Sequence, residues 1–168
     1  MKAKTICLAL CSSVVFSLCS TVFGADATTT SKELSSLPQV YKYNELMQVE
    51  REKVAGGKGI LYCQFAFRRD TASPESAVRE MAWLTLLPGE LIGHHGHTVN
   101  EDTYIVVSGT GVFTDTEGNK VEVKTGDMTI CRPNQKHAME NTGDVPLIMV
   151  NVIAQNDTYA HNHPEVKK

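Results

Sequence analysis

Residues 89–109 read GELIGHHGHTVNEDTYIVVSG. In an extended chain, residues two apart project to one face, about 7 Å apart along the strand. His95 and His97 can therefore aim two imidazoles at one point, while His94 projects to the opposite face. Imidazole nitrogens bind first-row metal ions at about 2 Å. A carboxylate follows at once, at Glu101 or Asp102, and a further histidine, His137, lies well downstream. Three neutral imidazoles and one carboxylate, with coordination positions to spare, suit a divalent ion such as Zn, Cu, Mn, Fe or Ni. A His-x-His pair alone serves equally well as surface decoration, so its surroundings decide.

Those surroundings are β text. Leu61, Cys63, Phe65 and Phe67 alternate with other residues from Gly59 onward, the period of a strand. Short runs rich in β-branched or aromatic residues follow at 79–87, 103–107, 111–115, 120–124, 127–131 and 145–153. Turn signals separate them: Pro88-Gly89, Ser108-Gly109, Gly118-Asn119, Thr125-Gly126, Pro133-Asn134 and Gly143-Asp144. Many short strands at close spacing predict an all-β sandwich or barrel. Between residues 59 and 154 no run has both helical period and helical length. Ahead of this block, Asn44 as a cap and Gly56-Gly57 as a stop predict a short helix from Tyr43 to Val54.

A second stretch, residues 126–141, reads GDMTICRPNQKHAMEN. Together the two stretches resemble the paired motifs of the cupin superfamily. In the first, Gly89, His95, His97 and Gly109 fall in place; Glu101 has the usual identity for the carboxylate, and Asp102 the usual distance from Gly109. Strand register favours Asp102, although the loop Thr98-Val99-Asn100 leaves Glu101 open. In the second, Gly126, His137 and Asn141 keep the family spacing, with His137 on a metal position. Arg132 and Asn134 replace the usual proline and glycine, and asparagine tolerates the left-handed backbone such a turn needs. The resemblance implies a small double-stranded β-helix, a jelly-roll barrel over residues 59–155, with one divalent ion inside it. It also implies a pocket reached from one end, for which Tyr104 and Arg132 are candidate mouth residues.

The ends read differently. Lys2 and Lys4 precede an apolar run to Phe23, and small residues follow. This is the layout of a cleaved secretory signal peptide over residues 1–24, and it predicts a periplasmic or secreted protein with no stable membrane span after processing. Cleavage there would move the net charge from −3 to −5, since the segment holds two lysines and no acids. It would leave Cys63 and Cys131 as the remaining cysteines, available as one disulfide or as two buried thiols. Residues 25–58 read as a leader, and residues 156–168 as a polar, flexible tail whose His161 and His163 fall outside the site. No basic stripe points to nucleic acid.

Three functions fit this reading. A metal-dependent enzyme acting on a small molecule (an oxygenase, decarboxylase, lyase or isomerase) uses the ion as a Lewis acid. A binding module captures a small ligand or the ion itself. In the third, the ion only staples the barrel. Open coordination favours the enzyme over the staple, and no second catalytic group declares itself. A homodimer joined through a sheet fits the resemblance. Trp83, Phe113, Met128 and Met139 are expected in the core.

Overall fold

The computed structural model describes residues 34–162. The segment expected to be an export signal and the first part of the expected leader lie outside the described residues, as does the end of the tail. Ten strands run in chain order: β1 (Met47–Glu52), β2 (Ile60–Phe67), β3 (Val78–Leu86), β4 (Leu91–Gly96), β5 (Asn100–Ser108), β6 (Thr110–Thr114), β7 (Lys120–Lys124), β8 (Met128–Cys131), β9 (Lys136–Glu140) and β10 (Leu147–Gln155). They form an antiparallel six-stranded sheet, β1-β2-β3-β10-β5-β8, and a four-stranded sheet, β4-β9-β6-β7. The all-β barrel expected from the sequence is thus the observed fold.

Alternation along the strands builds the interior. Cys63, Leu84, Met149 and Val106 lie side by side across β2, β3, β10 and β5. All four are buried and join one apolar cluster with Ile92, Met139 and Leu147. One layer along, the row is Ala82, Asn151 and Tyr104; beyond it comes Glu80, Ile153 and Asp102. The inward face therefore changes from apolar to polar toward one end of the sheet. A closed apolar end supplies the hydrophobic stabilisation, and the polar end is left for chemistry.

Glycines and one asparagine make the turns. Gly89, Gly109 and Gly126 have φ of +76°, +87° and +97°, and Asn134 has φ of +67° in the turn before β9. Asn134 thus takes the left-handed conformation that the usual glycine would supply. Asn141 closes the same motif from within. Its buried amide donates to Leu86 O at 2.8 Å and Val145 O at 2.9 Å, and its Oδ1 accepts from Gly143 N at 3.0 Å.

Several expectations need correction. The helix over Tyr43–Val54 does not form. A 3-10 turn at Tyr43–Glu45 leads instead into β1, which pairs with β2 from Met47↔Phe65 to Glu52↔Ile60. Leu46, Val49 and Val54 offer that helix only a weak apolar stripe, and a long β2 offered a free edge, so tertiary pairing overrode local preference. The sheet therefore begins inside the supposed leader, well before residue 59. The tail carries a short helix, α1 (Asp157–Asn162). Met128 is 72% exposed rather than buried, because β8 is an edge strand whose first residue faces out. Trp83 lies on the outer face, edge-on to Tyr43. Cys63 and Cys131 are both buried and form no disulfide; they lie on β2 and β8, with β3, β10 and β5 between them. Among the described residues, no helix is long and apolar enough to cross a membrane.

Candidate metal centre

Both sheets contribute to the site. The four-stranded sheet brings His95 on β4 opposite His137 on β9. His97 follows just past the end of β4, and Asp102 comes from β5 of the six-stranded sheet. Donor atoms of His95, His97, Asp102 and His137 all lie within 4.8 Å of one another. His137 Nε2 is 3.2 Å from both His95 Nε2 and His97 Nε2. Asp102 Oδ2 is 3.3 Å from His97 Nε2 and 3.5 Å from His137 Nε2. Donors bound at about 2.0–2.1 Å stand about 2.8–3.4 Å apart in octahedral or tetrahedral shells, so these spacings suit one small ion.

Hydrogen bonding shows that the centre is short of protons. His95 Nδ1 donates to Gly93 O at 2.9 Å, and His97 Nδ1 donates to Asn100 Oδ1 at 2.8 Å. Both rings, when neutral, then present bare Nε2 lone pairs inward, the tautomer a metal needs. Asp102 Oδ2 is a third acceptor. His137 Nε2 can offer one proton at most, and its buried Nδ1 has no partner. These facing acceptors repel one another unless a proton on the His97 or His137 Nε2, shared with Asp102, or a cation lies between them. The residues present therefore fit a divalent ion.

Surrounding groups tune this charge. Burial opposes ionisation of Asp102, but hydrogen bonds to His137 and His97 overcome it and hold the carboxyl well below its ordinary range. Asn151 Nδ2 donates to Asp102 Oδ1 and orients it. Burial pushes His95 down. For His97 burial acts the same way, but hydrogen bonding to Asp102 and Asn100 outweighs it and leaves the group raised. Tyr104 is stacked on His137, ring centroids 5.2 Å apart and 12° from parallel. Burial, with the Asp102 charge, pushes its phenol well above the ordinary value, so it stays neutral.

Glu101 points elsewhere and accepts a hydrogen bond from Asn156 Nδ2 at 2.9 Å. The one-residue ambiguity resolves through strand parity: Asp102 faces inward with Tyr104 and Val106. Arg132 is exposed and does not line the cavity, because it lies in the turn between β8 and β9. Tyr104 does line it, as wall rather than mouth. His94 is exposed, and its Nε2 donates to Asp115 O at 2.9 Å.

A cavity of about 260 Å³ opens beside His95, His97 and Asp102, and Arg51, Arg69 and Glu80 also line it. Arg69 Nε lies 3.6 Å from Glu80 Oε2. Sequence reading missed all three, because Arg51 stood in the supposed leader and Arg69 in a polar loop. The only signal for Glu80 was its parity with Ala82, Leu84 and Leu86 on β3. The segment Val54–Gly56 forms one rim, seated by Gly57 and Gly93: a Cβ on Gly93 would stand 2.1 Å from Ala55 O.

A barrel of two antiparallel sheets defines the double-stranded β-helix class, and three histidines and one aspartate at its polar end form a cluster that could hold a metal ion. The chain belongs to the cupin family. The family's Cupin domain profile matches residues 82–153. An "Oxalate-binding protein" from Thermotoga maritima is 30% identical over 114 residues, covering 68% of this chain and 92% of the relative. A crystal structure of a "predicted oxalate decarboxylase" from the same organism superposes with a TM-score of 0.61 at 29% identity, covering 69% of this chain and 98% of that one. A Klebsiella pneumoniae protein with a double-stranded beta-helix domain shares the fold, with a TM-score of 0.53 at 22% identity over 72% of this chain and 93% of its own.

Proposed function

We propose that this protein is a metal-dependent cupin whose ion captures a small carboxylate anion, with oxalate as the type ligand. One observation carries the reading: Arg51 and Arg69 line the same cavity as His95, His97 and Asp102. A divalent ion on three neutral imidazoles and one carboxylate keeps positive charge, and two guanidiniums face it against the single carboxylate of Glu80. Guanidinium forks match carboxylates in geometry as well as charge. At about 260 Å³ the cavity is smaller than the sites that take drug-sized ligands, and it suits an anion of few atoms. The name of the Thermotoga maritima relative supports the same chemical class.

His95, His97, Asp102 and His137 would hold the ion, which supplies Lewis acidity toward a ligand oxygen when bound. Gly93 and Asn100 fix the imidazole tautomers, and Asn151 fixes the carboxylate. Arg51 and Arg69 draw the anion in and orient it, while Tyr104 walls the site with a neutral ring. Calorimetric titration of the metal-loaded protein with oxalate tests this. Binding that disappears in the metal-free protein supports the proposal, and equal binding with and without metal contradicts it.

Catalysis on such an anion is the second reading. Four protein donors leave positions open in a six-coordinate shell, the arrangement of reactive rather than structural sites. Loss of oxalate during incubation with the metal-loaded protein separates turnover from capture. Export is part of the proposal: an ion acquired outside the cytoplasm would be Cu or Zn on affinity grounds. A homodimer through the outer face of the six-stranded sheet fits the half-buried apolar side chains of Trp83, Val150 and Ile105 there.

A further inference from the structure

Glu80 lies in the cavity without belonging to the metal cluster. It is 6% exposed, and its ion-pair partner among the described residues is Arg69. On the sheet it stands opposite Ile153, whose other neighbour is Asp102. Two strand spacings, about 10 Å of backbone, therefore separate it from the nearest metal ligand on that sheet. The titratable and charged groups around it are Arg69 from the segment after β2, with Arg68 and Asp70 of that segment lining an adjoining cavity, Arg51 from β1, Cys63 from β2, and Asp102 and Tyr104 from β5. One of the two guanidiniums that line the cavity is thus already paired with a carboxylate of the protein.

We infer that Glu80 is an internal competitor for the anion: an incoming carboxylate takes Arg69, and the released Glu80 takes up a proton. The inference rests on the carboxylate reading of the site. With Arg69 turned to the ligand, Glu80 would be a buried charge beside a second anion, and neutralising it costs less than leaving it unpaired. Arg69 is half exposed and can reorient. Burial already raises the Glu80 carboxyl above its ordinary range, against the pull of Arg69 and Arg51. The proton comes from solvent through the open mouth, and no bond other than the carboxyl O–H forms. Capture should therefore strengthen as pH falls, down to the point where oxalate itself protonates.

The test uses the full chain loaded with Mn(II), whose bound water stays neutral in this range, and oxalate as the probe. Titration calorimetry is run from pH 6 to 8 in two buffers of unlike ionisation heat. The wild-type protein should bind several-fold tighter per pH unit downward, with a buffer-dependent heat reporting net proton uptake. Glu80→Gln should bind at least fivefold tighter than wild type at pH 8 and show a flatter pH dependence. Equal affinities at pH 8 and equal slopes in the two proteins would overturn the inference while leaving the carboxylate site standing. Manganese-loaded wild type that ignores oxalate would bring down both. Should the variant fail to fold, the wild-type buffer comparison decides alone, and heats independent of buffer overturn the inference.

Discussion

His95 and His137 face each other across the β4–β9 pair, with Nε2 atoms 3.2 Å apart, although 42 positions separate them in the chain. That pairing is where the two motifs meet. His137 is fully buried, and its ring carries Tyr104 on one face and Phe113 against its edge. Metal should therefore stabilise the wild-type fold by linkage, about 2.7 kcal/mol at a hundredfold excess over Kd. In His137→Ala the added metal should leave the melting curve where it was. Thermal unfolding with and without zinc, on both proteins, is the check.

Asn151 touches no candidate ligand atom facing the ion, yet it orients Asp102 through Oδ1. Asn151→Ala should weaken metal affinity about 10–100-fold, the usual effect of removing a group that positions a ligand. Competition with a chromogenic chelator measures this. An unchanged affinity would mean that strand register alone positions the carboxylate.

Gly93 and Gly57 let the rim segment lie against β4. In Gly93→Ala the new methyl would meet backbone at Ala55 and Gly57, atoms that cannot swing aside. Destabilisation of about 1–3 kcal/mol is expected, together with weaker oxalate binding through displacement of Val54 and Ala55. Denaturant unfolding and oxalate titration read the two effects separately.

The barrel was legible because burial imposes alternation. On β2, β3, β5 and β10 one face is interior, so the period of two is written plainly, and turn residues mark the ends. Asp102 could be preferred over Glu101 from its distance to Gly109, whereas alternation from His97 was broken by the loop Thr98-Val99-Asn100. Strand β1 was not legible: only Val49 in it is even half-buried, so nothing in its pattern had to alternate. Arg51 was lost with it. Glu80 did not stand out, because a buried acid depends on a partner, Arg69, that the sequence alone does not connect to it. Asn134 was legible, since few side chains accept a positive φ.

Cys63 and Cys131 are buried, and burial pushes each thiol up to about 11. A raised thiol pKa means less thiolate at any lower pH, on the order of one part in a thousand at pH 8. Both should resist a disulfide exchange reagent in the native protein at pH 8 and react fully once unfolded. Timed thiol titration checks this, and fast native labelling of either would contradict its burial.

The central claim is that His95, His97, Asp102 and His137 hold one ion between them. Elemental analysis after saturation and removal of excess metal tests it most directly, on wild type and on a folded His95→Ala/His137→Ala variant. The result expected is about one divalent ion per chain for wild type and almost none for the variant. Equal metal content in the two proteins would contradict it, and would place whatever ion is bound somewhere other than the mouth of this barrel.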